Sequence, residues 1–216
     1  MNINTEDYWN MRFRSGDWEA RKGRSQTEDF ALSFTRFIKL KTDFTGTIVD
    51  FGCGLGDAIP IYRKKWPNAK LIGVDFSKDG IEICNKYYGE IASFICGDFQ
   101  SVPQCDVIIA SNVFEHLSDQ FKIIDGLLKI CKKLIIVVPF NEILIDGGEH
   151  INNYRKDSFS KYNTETSKVF SSKGWSYTGF DYIWNILVKN CLRPFFLKRI
   201  SYNKKQILYV LLGRHN

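Results

Sequence analysis

The sequence predicts an α/β fold: a doubly wound, seven-stranded, mostly parallel sheet that finishes in a C-terminal antiparallel hairpin. Three observations carry the prediction. A short apolar run at residues 47–49 ends in Asp50 and opens into glycines at every second position, Gly52, Gly54 and Gly56, so a strand stops in a glycine loop. Apolar β-branched runs then alternate with segments of helical period as far as residue 140. That rhythm means parallel strands joined by crossover helices. Two further strand-like runs, residues 175–183 and 206–212, close the chain.

Taken in order, residues 5–14 carry Tyr8, Trp9, Arg12 and Phe13 at helical spacing, and Ser15-Gly16 stops them. Arg21 to Arg24 read as a basic loop, and residues 26–41 as a helix with Phe30, Phe34, Phe37 and Ile38 on one face. After the glycine loop, residues 57–66 form a helix with Pro60 in its first turn and Pro67 at its end. Residues 70–74 form a strand that ends on Asp75. Ser77 caps the next helix, and Gly89 ends it. Residues 93–96 lead into Gly97-Asp98-Phe99, and residues 107–110 into Ser111-Asn112-Val113-Phe114-Glu115-His116-Leu117. Ser118 caps a helix that turns Phe121, Ile124, Leu127, Leu128 and Cys131 inward, and residues 134–138 form the fifth strand. A polar loop, 140–155, follows, and then a helix from Asp157 or Ser158 to Lys173, stopped by Gly174. Residues 184–205, between the last two strands, are apolar-aromatic and basic; an insertion of this length supports substrate binding or an interface.

Glycine spacing discriminates between ligands. A dinucleotide fingerprint needs its third glycine at position 57, and Asp57 stands there. An acid at a helix start repels a diphosphate that seeks the positive helix end. Flanked by Asp50 and followed by Asp75, the stretch resembles motif I of the class I S-adenosylmethionine (SAM) dependent methyltransferases. Asp98-Phe99 and the 111–117 segment extend the resemblance over residues 47–140.

The resemblance implies SAM as cofactor, held by Asp50, Gly52, Gly54, Gly56, Asp75, Phe76, Asp98, Phe99 and Asn112. Asp75 is expected to be an exposed strand-end carboxylate that accepts both ribose hydroxyls, since two neighbouring donors suit one carboxylate. Asp98 is expected to take the adenine amino group. The pattern Trp9-x-x-Arg12-Phe13 resembles an aromatic lid closing over the methionine end; the same spacing also suits a helix packed on the core. The chain then divides, within one domain, into an N-terminal helical lid (1–45), a SAM-binding core (46–140) and an acceptor side with the closing hairpin (141–216).

Composition bounds the rest. With 44% hydrophobic and 25% charged residues over 216 positions, disordered and fibrous classes drop out. No apolar run is long enough to span a bilayer and residues 1–9 lack a secretory core, so a cytoplasmic location is expected. Six scattered cysteines form no Cys-x-x-Cys pair and none lies near a histidine at zinc spacing; they read as reduced core residues, with no metal site expected. The net charge of +6 is local: residues 184–216 carry seven bases and no acid, and the rest has 23 bases against 24 acids. That basic tail, interleaved with Phe195, Phe196 and Tyr202, suits an anionic membrane surface or nucleic acid, or is simply a solvated hairpin edge. Nucleic acid is disfavoured, because the segment after the fourth strand is not the Asn-Pro-Pro-Tyr type of base-methylating enzymes.

Chemistry falls to His150 and His116. A sugar hydroxyl needs a base where an amine needs only alignment, and histidine titrates near neutrality. Glu149 reads either as the group that orients an imidazole or as a solvated loop acid. Residues 139–142 and 149–151 look similar to methyltransferases of surface-polysaccharide and other sugar-modifying systems, which implies O-methylation of a small polar or glycan acceptor. N-methylation of a small amine or RNA, and SAM binding without turnover, are the alternatives.

Overall fold

A computed structural model describes residues 2–172, 180, 183–196 and 204–213. Seven strands form one sheet: β1 (Thr47–Phe51), β2 (Lys70–Asp75), β3 (Ser93–Cys96), β4 (Cys105–Ser111), β5 (Cys131–Phe140), β6 (Thr164–Phe170) and β7 (Lys205–Leu212). Their order is β3-β2-β1-β4-β5-β7-β6. The pairs among β1 to β5 are parallel, whereas β7 runs antiparallel to both β5 and β6. The order reverses between β1 and β4, and in open parallel sheets the crevice beyond the strand ends at such a point is where ligands bind.

Alternation along the central strands sends side chains to two cores. Val49, Ile108, Ala110, Leu134, Ile136, Ile207 and Tyr209 face α6 (Gln120–Leu127), joined by Phe114, Tyr154 and Phe159. Ile48, Leu71, Val107, Ile109, Ile135, Leu208 and Val210 face α3 (Gly23–Phe34) and α4 (Ile59–Lys65) through Phe30, Phe34, Tyr62 and Trp66. Covered on both faces, the middle strands read as continuous apolar runs. The capped helix after β2 is α5 (Lys78–Tyr88), where Ser77 Oγ accepts the Gly80 N–H at 3.0 Å.

Two expectations for the C-terminal part change. No helix spans 157–173; tight turns over 157–162 lead into β6. The β-branched Thr164, Thr166 and Val169 pair with the buried β7, and that ladder outweighs the helical reading of a largely exposed polar segment. The strand expected at 175–183 lies mostly outside the described residues, and Ile183 opens helical turns running Ile183–Val188, Lys189–Leu192 and Arg193–Phe196. The hairpin strand beside β7 is therefore β6.

The N-terminal segment is more helical than its sequence suggests. Helix α1 (Glu6–Arg14) is capped by Thr5, a short α2 (Asp17–Ala20) follows, and α3 starts at Gly23, not at residue 26. Among the described residues no helix is long and apolar enough to cross a membrane, and the six cysteines are all free.

Candidate functional site

A cavity of about 430 Å³ opens at the switch point, within the range of small-ligand pockets. Its floor is the loop after β1. Gly52 and Gly54 hold φ of +73° and +54°, a left-handed backbone that glycine adopts without strain. A Cβ at Gly52 would also collide with Val113, so the loops after β1 and β4 touch here and leave no room for a side chain.

Asp75 ends β2 beside this floor. Its Oδ2 accepts the Gly54 N–H and its Oδ1 the Ser77 N–H, both at 2.8 Å. The carboxylate is thus 8% exposed, not the open acceptor the sequence implied. Burial pushes its pKa up to about 6, against the two backbone donors that hold it down. Each oxygen still has an acceptor site to offer, enough for two neighbouring hydroxyls. Asp50 lies behind the floor, 5% exposed and outside the cavity lining; burial and then the negative Asp75 raise it to about 7.

Other predicted residues divide. Trp9, Gly52, Gly54, Asp75, Phe76, Asn112, His116 and His150 line the cavity. Gly56, Asp98 and Phe99 do not: Gly56 backs onto Tyr88 and Cys84, Asp98 caps the turn Phe99–Ser101 by accepting the Gln100 N–H, and Phe99 packs towards Gly126. Asp57 turns away as well, accepting from the Tyr88 hydroxyl at 2.9 Å and facing Arg24 at 3.2 Å. Its charge therefore does not face the cavity, and the sequence argument from repulsion of a diphosphate does not hold for this side chain.

The roof comes from the N-terminus. Trp9, Phe13 and Trp18 stack mutually, with centroids 5.7 to 6.1 Å apart. The Asn10 side-chain oxygen accepts from Ser77 Oγ at 2.7 Å, which ties α1 to the start of α5. Buried Arg12 reaches Asp17 at 3.1 Å and pairs with Glu149, which also accepts from the Tyr8 hydroxyl. Asn4 adds a 2.7 Å bond to the Glu149 carbonyl. Glu149, readable in sequence as a solvated acid, is the clasp between roof and wall.

The far wall combines His116 and His150. The Nδ1 of His116 lies 3.1 Å from the Glu149 carbonyl, and the Nδ1 of His150 meets the Glu142 carboxylate. Glu142, not Glu149, orients the second imidazole. Burial, then the neighbouring His150, lowers His116 to about 4 and keeps it neutral. Burial opposes charge on His150 too, but Glu142 and Glu115 outweigh it and raise that pKa. The rings stand edge to face, centroids 4.9 Å apart, and Trp9 stands edge to face on His116 at 5.4 Å. Asn112, strained at φ +57°, accepts from the buried Gln206 amide at 3.0 Å and so joins the floor to β7.

Residues 48–133 match the family described as a methyltransferase domain. A malonyl-[acyl-carrier protein] O-methyltransferase of Priestia megaterium is 33% identical over 101 residues, 44% of this chain and 37% of that protein. A trans-aconitate 2-methyltransferase of an Azoarcus species is 26% identical over 94 residues, 42% of the chain and 37% of the relative. The chain thus spans well under half the length of these relatives. Among solved structures, the plantazolicin methyltransferase BpumL in complex with SAH superposes with TM-score 0.60 at 19% identity, over 98% of this chain and 96% of that one. A complex of the Haloferax volcanii Trm112 methyltransferase activator with its partner chain gives 0.65 at 14% identity, over the whole of both chains. At such identities the likeness shows the fold: this is the α/β methyltransferase fold, and the methyltransferase-domain match covers β1 to the start of β5.

The lining also includes residues that the sequence reading gave no role, among them Trp18, Val113 and Lys204. Trp18 carried a signal, as a third aromatic one helical segment beyond Trp9 and Phe13, and Val113 another, as part of the 111–117 segment.

Proposed function

We propose that the chain is a SAM-dependent methyltransferase that methylates an oxygen of a small polar acceptor. The observation that carries the reading is a single cavity lined by the left-handed glycine floor, the doubly anchored Asp75 and the histidine wall. SAM is the cofactor, and its sulfonium supplies a methyl group already activated for displacement.

The chain's own residues bind, orient and exclude water. Asp75 offers its two remaining acceptor sites to the ribose, Phe76 a ring face to the base, and Gly52 and Gly54 a floor without side chains. Asp98 and Phe99 reach the base only if the end of β3 moves towards it, so the proposal leans on Phe76. Trp9, Phe13 and Trp18 roof the methionine end, in the part of the chain (1–45) that serves as lid. An acceptor then enters from the side of His116, His150 and Lys204. With SAM bound, these residues would align an acceptor oxygen with the methyl group, whose C–S bond would break as the O–CH3 bond forms with the electrons passing to sulfur, and the acceptor's proton would leave on the side of His116 and His150.

A hydroxyl of a sugar or glycan remains the favoured acceptor, supported by the polar loop 141–155 on the acceptor side and by the need for proton handling at this wall. The relatives named for malonyl-acyl-carrier protein and trans-aconitate make a carboxylate the next choice. Trp184, Leu187, Leu192, Phe195 and Phe196 are exposed beside Lys189 and Arg193, which supports contact with an anionic membrane surface during work on a lipid-linked acceptor. The test is transfer of labelled methyl from SAM to a panel of sugars, small carboxylic acids, amines and RNA. Labelled sugar or acid is the expected outcome. Label only in amine or RNA overturns the oxygen assignment, and SAM binding without transfer to any acceptor makes the chain a binding protein.

A further inference from the structure

We infer that Glu115, His116 and His150 form a binding site for a divalent transition-metal ion at the acceptor end of the cavity. Three observations converge. The three residues each place one ligating atom within 4.8 Å of the others. Both imidazoles have Nδ1 held by the protein, His116 against the Glu149 carbonyl and His150 against the Glu142 carboxylate. A carbonyl or carboxylate on the second ring nitrogen is how proteins fix the tautomer and direction of a metal-binding histidine. Glu115 supplies the third, independent observation: it is 0% exposed, and neither carboxylate oxygen has a hydrogen-bond partner among the described residues. A buried carboxylate without a hydrogen bond is costly, and a cation would satisfy it.

The backbone holds the set together. The turn Phe114–His116 follows β4, and its Glu115 carbonyl accepts from Ile151 N–H at 2.8 Å and Asn152 N–H at 3.2 Å. Asn152 Nδ2 donates to the carbonyls of Phe114, at 3.0 Å, and Leu117, at 2.7 Å. The loop bearing His150 is thus stitched to the turn bearing the other two. Bonds of about 2.0–2.1 Å in a tetrahedral site set ligand atoms about 3.3 Å apart, so closing on an ion takes side-chain movement of roughly an ångström. Two nitrogens and one oxygen suit Zn2+ or a similar late first-row ion, with a coordination position left open towards the cavity that His116 and His150 line.

The inference rests on the methyl-transfer reading only for its purpose: an ion here would lower the pKa of an acceptor hydroxyl, whose proton would leave to water before its oxygen attacks. Binding itself is tested without SAM. The apo-protein is titrated with Co2+ while visible absorption is recorded, and with Zn2+ while heat and melting temperature are followed. Expected are one equivalent, d–d bands of a nitrogen/oxygen site, and a melting temperature raised by Zn2+. Glu115→Gln keeps the volume, and His150→Ala removes one nitrogen; each should weaken both ions at least about tenfold while SAM affinity, read on the same samples, stays near wild type and reports that the variants fold. Absence of Co2+ bands, or binding indifferent to both substitutions, overturns the inference. Methyl transfer that survives a chelator but is lost in His150→Ala also overturns it and makes His150 a direct base. A protein that takes the ion but ignores SAM overturns the methyltransferase reading instead.

Discussion

Asp75→Asn separates ligand binding from stability at one atom pair. The wild-type oxygens each hold one backbone N–H, from Gly54 and Ser77, at 2.8 Å. Asparagine keeps the shape but has one oxygen, so one N–H faces an amide NH2 and loses its acceptor, costing about 1–3 kcal/mol. Against this, the variant removes a buried charge. A carboxyl raised by burial from 3.8 to about 6 withholds roughly 3 kcal/mol of stability at pH 8, because the folded state binds the proton more tightly than the unfolded chain. The two effects nearly cancel at pH 8, and the melting temperature should move by only a few degrees. As pH falls through 6 towards 5 the wild type recovers about half of that withheld stability, and the variant does not, so the gap widens in acid. Affinity has no such compensation: losing the charged acceptor for two ribose hydroxyls, each worth about 1.5–3 kcal/mol, should weaken SAM at least about 100-fold. Calorimetry with SAM at pH 8, beside melts at pH 8 and pH 5, reads both. A variant that binds SAM within about threefold of wild type would refute the assignment of Asp75 to the ribose, and an equal loss of melting temperature at both pH values would refute the electrostatic balance.

The remaining predictions concern floor, roof and pH. Gly52→Ala should cost about 2–4 kcal/mol, from left-handed strain plus collision with Val113, whereas Gly54→Ala should cost only the strain, about 1–2 kcal/mol, since its new Cβ meets nothing closer than Phe13 at 3.5 Å; equal melting temperatures would contradict this. Arg12→Met removes the clasp to Asp17 and Glu149 and should cost about 1.5–3 kcal/mol; hydrogen exchange over residues 5–20 and SAM dissociation should both speed up, and unchanged exchange would show that the roof is held by its aromatic contacts alone. SAM affinity of the wild type should fall below pH 6, by about tenfold per pH unit once Asp75 is protonated; a flat profile between pH 5 and pH 8 would mean that the carboxylate charge does not serve the ligand.

How much of this was legible depended on distance along the chain. The turn of left-handed glycines after β1, the acid ending β2 and the Ser77 cap are local signals, written within a few residues, and they stand at those places in the chain, although Gly56 backs away from the cavity and Asp75 is buried where an exposed carboxylate is expected. Strand β6 was not legible: with its largely exposed Thr-Glu-Thr-Ser-Lys run, its identity is decided by pairing with β7, which lies some 40 residues on. The role of Glu149 was hidden for the same reason, since its partners Tyr8 and Arg12 stand 141 and 137 residues away. Glu115 looked like half of a Glu-His pair, yet its isolation and its nearness to His150 exist only once the 150–152 loop is stitched to the turn after β4. Asp57 shows the converse error: a helix-start acid was read as facing the ligand, when Arg24, from a helix the sequence placed three residues too late, draws it away.

Parallel titration of the wild-type protein with SAM and with NAD+ tests the central claim most directly. A floor of left-handed glycines, a ribose acceptor at Asp75 and a tryptophan roof predict saturable SAM binding at one site, weakened at least about 100-fold in Asp75→Asn, with NAD+ the weaker ligand. Tight binding of the dinucleotide with indifference to SAM would contradict the account.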